Sequence, residues 1–201
     1  MLPGWSIVGF KEWAVTVAAL EKGEQVILLR KGGIREDGKH FKVEHEGFFL
    51  YPTYDHQKSE LVKTECHDLY NSTLIDEDPD LVHLSSYAEV TEVIETTDDA
   101  IIESLDHHHI WTQEYAAKRL RWKPKVALTA MVLRVYRLPA AKHVPFRPEY
   151  VGCKSWLPLL DAVTVDALEP AMADAAFAAE ANAIEAAMKS ATVPPLQSSS
   201  R

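Results

Sequence analysis

Apolar residues first recur at helical spacing at Phe10, Trp13, Ala14, Val17 and Leu20, with Gly23 just beyond, which predicts an amphipathic helix over residues 10–22. Residues 25–30 are then almost continuously apolar, the signature of a short buried strand. Two further strands are predicted at 41–43 and 48–51, around the polar stretch Glu44, His45, Glu46 and Gly47. Pro52 ends the second, and Thr53 reads as the N-cap of a short helix to about residue 63. Residues 64–84 carry no periodicity and read as irregular, with Asp76, Glu77, Asp78 and Asp80 in an acidic loop.

Order returns at residues 87–94, where Ala88, Val90 and Ile94 alternate with Glu89 and Glu92 as in a strand exposed on one face. Thr97 reads as the cap of a helix holding Ile101, Ile102 and Leu105, and Thr112 as the cap of another over 113–121. Glu114 at the start of that helix and Lys118, Arg119 and Arg121 near its end suit the helix dipole. Residues 126–138 form the longest predicted strand, apolar on both faces before Arg134, Tyr136 and Arg137. Pro139, Pro145 and Pro148 are expected to interrupt regular structure after it, before a last strand over 155–159.

From Asp161 the composition turns to Ala. Pro170 fits the first position of a helix, and Phe177, Ile184 and Met188 make a narrow apolar stripe. The expected organisation is one α+β domain over residues 1–160, built on a mixed β-sheet or small β-barrel with flanking helices. A C-terminal Ala-rich helical tail over 161–192 and a disordered end over 193–201 complete it. No apolar run approaches the roughly 18 residues of a membrane span, so no membrane partner is expected. No leader is visible, and Cys66 and Cys153 are too few and too far apart for a disulfide framework, so the cytoplasm is the expected location.

Charge divides sharply along the chain. Residues 58–114 hold two Lys/Arg against fifteen Asp/Glu, whereas 115–160 hold ten against one, within an overall charge of −9. The two blocks either neutralise each other across the fold or leave a basic surface for phosphate. In the basic block Arg134, Arg137, Arg147 and Lys154 are interleaved with Trp122, Tyr136, Phe146, Tyr150 and Trp156, a mixture that can hold phosphates and stack bases. Lys31, Gly32, Gly33 and Arg35 form a turn after a strand, where two glycine amides between cations can receive an anion. Glu44, His45, Asp55 and His56 fall near strand ends and make a candidate polar site, with His109 and Trp111 in a segment that reads as partly internal. No compact metal-binding spacing and no nucleophile motif occur.

Several segments in order resemble the bacterial "domain of unknown function 1802" family over about residues 10–160. They are Lys11-Glu12-Trp13-Ala14-Val15, Leu28 to Glu36, Val43-Glu44-His45, Phe49 to Gln57, His109 to Tyr115, Leu133 to Pro139 and Arg147 to Trp156. The resemblance implies a restriction–modification or DNA-processing setting, because members are reported beside restriction-endonuclease-like domains, and it assigns no catalytic residue. The strand–helix order from 87 to 139 is also similar to PUA-like and ASCH-type domains, small mixed barrels that bind RNA or modified bases.

Three functions stay open at this point. A nucleic-acid-binding accessory module would contact DNA or RNA through Lys31, Arg35, Arg134, Arg137, Arg147 and Lys154, without a cofactor. A metal-dependent nuclease would place a divalent cation on Glu12, Glu44, His45 and Asp55, with Lys31 near the scissile phosphate. An interaction protein would dock a protein partner through the 170–190 helix.

Overall fold

The computed structural model describes residues 2–31, 41–74, 80–122 and 126–191. Its frame is a mixed seven-stranded sheet formed by β1 (Trp5–Trp13), β2 (Ile27–Lys31), β3 (Gly47–Thr53), β4 (Leu81–Thr96), β5 (Leu128–Pro145), β6 (Trp156–Thr164) and β7 (Glu169–Pro170). The strand order is β2-β5-β4-β3-β1-β6, and β7 adds to β5. β1 and β3 are parallel; the other pairs are antiparallel. The helices are α1 (Ala14–Lys22), α2 (His67–Ser72), α3 (Asp99–Ser104), α4 (Gln113–Arg121) and α5 (Asp174–Ala191).

The helix predicted over 10–22 is half strand. Phe10, Lys11 and Glu12 pair with Leu50, Tyr51 and Pro52, and Phe10 also pairs with Trp156, so sheet contacts override the local helical spacing. The helix starts at Ala14, and its cap is remote: the buried Gln57 accepts the Val15 N–H at 2.9 Å. It stops at Gly23 as expected, in the left-handed conformation at φ 69°, where glycine bears no Cβ penalty. Residues 41–43 form no strand, and Thr53 ends β3 rather than capping a helix. Asp98, not Thr97, caps α3 by accepting the Ala100 N–H at 2.9 Å. Thr112 caps α4 as predicted.

β5 runs straight through Pro139. Ser86 pairs with Arg137 and Leu84 with Lys142, so Pro139 sits in a wide bulge where no ladder donor is required. The pairing of β4 with β5 also sets Glu89 of the acidic block opposite Arg134 of the basic one.

Successive β3 side chains serve two cores. Phe48 and Leu50 enter the larger one, which α1, α3, α4 and α5 cover. Phe49 and Tyr51 enter the second, with Leu84, Tyr87, Tyr150, Leu157 and Leu159. The sheet stays open but curls: Arg30 on β2 reaches β1, donating to the Lys11 carbonyl and pairing with Glu12 at 2.8 Å.

Residue 160 falls inside β6, and Pro170 lies in β7 rather than at a helix start. On α5, Ile184 and Met188 are buried in the larger core, with Phe177 packed beside them. The stripe expected to dock a partner therefore packs on the chain's own domain. No described helix is long and apolar enough to cross a membrane.

Candidate nucleic-acid interface

Three segments meet at Lys11. Its backbone N–H donates to the Ser155 carbonyl at 2.9 Å, and β1 carries its side chain toward Tyr51, the residue paired with it on β3. The ammonium lies 5.8 Å from the Tyr51 ring centre, within cation–π range. Beyond β5 the chain makes a 3-10 turn at Pro148–Tyr150, and the buried Tyr150 ring packs edge-on against Tyr51 at 6.0 Å. Leu160 N–H donates to the Tyr150 hydroxyl at 3.0 Å, which fixes the turn to β6. Gly152, at φ 107°, then reverses the backbone. Lys11 Nζ donates to the carbonyls of Tyr150 and Gly152, the latter at 3.1 Å.

Burial pushes the Lys11 ammonium pKa below its ordinary value; Asp55 and Cys153 oppose that shift, and Lys154 adds to it. Burial also raises the Tyr51 hydroxyl to about 12, with Tyr150 and Asp55 adding to the rise. Lys11, Asp55, Cys153 and Lys154 thus share one electrostatic neighbourhood, with exposed Lys154 at its outer side. Arg147, at the start of the same strap, is half exposed and only loosely paired with Asp161 at 4.0 Å.

Other predicted site residues go elsewhere. Arg134 is buried, bonded to Asp174 and stacked 4.8 Å from the Phe177 ring, so it anchors α5 instead of facing solvent. Tyr136 donates to Glu89 at 3.1 Å. Arg137 is exposed, and pairs in the sheet with Glu169. Lys31 is buried at the end of β2; Gly32, Gly33 and Arg35 lie outside the described residues. Trp156 is pinned among Phe10, Phe41 and Phe48, donating its indole N–H to the Lys42 carbonyl at 2.9 Å.

The polar candidates divide into three places. His45 meets the edge of Trp156, with exposed Glu44 beside it in sequence; Asp55 lies by Lys11, with exposed His56 next to it. His109 and Trp111 are buried together at 5.3 Å in the segment bridging Val62 and Trp111. Glu12 is bound to Arg30. Among the described residues, no three His, Cys, Asp or Glu side chains come together to hold a metal, and the expected ligand set of the nuclease reading does not assemble.

Sequence patterning singles out neither Lys11 nor Tyr51. Phe10-Lys11-Glu12 shows no period-two alternation, and the helical spacing of Phe10, Trp13 and Val17 points away from a strand.

Comparison with solved structures finds ASCH from Zymomonas mobilis, at 11% identity and a TM-score of 0.39, covering 89% of this chain and 93% of that one. A serine-to-alanine mutant of the same protein matches at 11% identity and 0.37, covering 83% and 92%. Superposition at that level carries no functional transfer. Among curated proteins, none matches this chain. The family match spans residues 9–183 and so runs past β6 into α5. The chain belongs to the family described as Domain of unknown function (DUF1802).

Proposed function

We propose that the protein is a cytosolic nucleic-acid-binding accessory module whose phosphate contacts are made at the corner of Lys11, Arg147 and Lys154. The observation that carries this reading is that the Lys11 ammonium and the Lys154 backbone N–H both donate to the Gly152 carbonyl, at 3.1 and 3.0 Å, which sets exposed Lys154 at the same corner as Lys11. Asp55 offsets part of the Lys11 charge, while exposed Lys154 attracts an anion from the outer side of the corner. Lys11 donates inward to carbonyls, so it contributes mainly field, while Lys154 and Arg147 reach outward for direct contacts. Phe146, 44% exposed beside Arg147, offers a surface for base stacking. Tyr51 and Tyr150 are buried and serve as framework.

Fluorescence anisotropy with single- and double-stranded DNA and RNA tests the reading. Binding is expected to weaken steeply with salt. The double variant Arg147→Ala/Lys154→Ala is expected to flatten the log–log salt slope by roughly 1.4–1.8, at about 0.7–0.9 for each phosphate no longer neutralised. No binding of any of the four nucleic acids at low salt, or an unchanged slope in the double variant, refutes it. The restriction–modification setting rests on the family resemblance. Deleting the gene and challenging cells with unmodified DNA tests it separately.

A further inference from the structure

On another part of the surface, α1, the turn after β3, the end of α2 and the start of β4 enclose a cleft of about 180 Å³. Ala14, Val17, Ala18 and Pro52 give it apolar walls; Glu21, Ser72, Thr73 and Ser85 give it oxygen, with Tyr54 and His83 completing the lining. Three hydroxyl protons there are already committed. Ser85 donates to Glu21, Ser72 to the Leu69 carbonyl at 2.7 Å, and Thr73 to the Tyr70 carbonyl at 2.7 Å. A hydroxyl has one proton and two acceptor sites, so these three oxygens offer lone pairs to a ligand. One Thr73 site receives Gln57 at 3.4 Å. Glu21, as a carboxylate, is acceptor-only.

The acceptors of Glu21, Ser72, Thr73 and Ser85 favour a ligand that brings donors. Among the described residues no Lys or Arg lines the cleft, which disfavours an anion. A hard divalent cation is also a poor fit, since it requires about six or more oxygen ligands and the described lining residues supply one carboxylate. The apolar walls suit a short alkyl body. At roughly 30 Å³ per water the volume equals about six waters, the size of a ligand with a similar number of heavy atoms.

We propose that this cleft binds a small organic ammonium compound, its ammonium on Glu21 and the neighbouring hydroxyl oxygens and its alkyl body against Ala18 and Pro52. The test uses the full chain with 1,4-diaminobutane, its neutral isostere 1,4-butanediol, and magnesium chloride, read by calorimetry and by amide chemical-shift changes. The diamine is expected to saturate at one site, with shifts confined to the cleft residues of α1, α2 and β4, while the diol and magnesium give neither. Glu21→Gln retains an acceptor for Ser85 and is expected to weaken diamine binding at least tenfold. Ala18→Leu, which fills the cleft without touching its polar groups, is expected to abolish it, with circular dichroism confirming that both variants fold. Equal binding of the diol or magnesium, shifts scattered over the acidic surface, or undiminished binding in both folded variants overturns the proposal. So does an absence of saturable diamine binding.

Discussion

Acidification is expected to destabilise the protein through one residue, His109. The residue is 4% exposed, its ring buried against Trp111 at 5.3 Å. Burial pushes its pKa from 6.5 down to about 4; the Lys63 ammonium adds to that, and Asp106 opposes it. Lys63 is held there by the carbonyls of Asp106 and His109, the latter at 2.9 Å. The unfolded chain therefore binds a proton between about pH 6.5 and 4 that the folded chain refuses. Stability is full above 6.5 and declines as pH falls toward 4, where the loss reaches about 3 kcal/mol at 1.36 kcal/mol per pKa unit. At about pH 5 the loss is near 2 kcal/mol, or roughly 4–8 °C in Tm for a chain of this size. Comparing wild type with His109→Gln by urea denaturation at about pH 7 and pH 5 isolates the effect, because the variant carries no proton-binding group at 109. The wild type is expected to lose about 2 kcal/mol more than the variant over that interval. Equal losses, or a native His109 ring titrating near its ordinary value by NMR, would overturn this account.

Ile184→Ala on α5 is expected to cost about 2–4 kcal/mol, while Ala183→Lys on the exposed face should change thermal stability little. A silent Ile184→Ala would return α5 to the status of an appended tail. Glu12→Leu or Arg30→Met alone is expected to cost about 3–5 kcal/mol by removing one partner of a buried ion pair, and the double variant less than their sum in a denaturation cycle. Additive losses would mean that the pair is not coupled. Gly47→Ala would bring a Cβ to 2.3 Å from the Tyr87 hydroxyl, whose ring is buried against Phe49, and a loss of about 1–3 kcal/mol in chemical denaturation is expected. Tyr87→Phe in the same background should recover part of it, because the clashing oxygen is gone.

Features with a local cause were legible along the chain. Gly23 stops α1 because its left-handed backbone favours glycine, and Thr112 caps α4 through its own hydroxyl. The continuous apolar run of β2 and the long β5 could be read because burial on both faces leaves no alternation. The family, too, was legible in short motifs. Folding alone settled whatever depends on a partner distant along the chain. Phe10 to Glu12 join a sheet because Leu50 to Pro52 lie beside them, and α1 begins where Gln57 can cap it. Arg134 belongs to α5 through Asp174 and Phe177, forty or more residues away, so its charge could not be assigned to a surface in advance. The corner at Lys11 exists only because a strand near the start of the chain, the end of β3 and the Tyr150 strap converge in space. Spacing along a chain records local propensity, and a site assembled by long-range pairing leaves no such spacing behind.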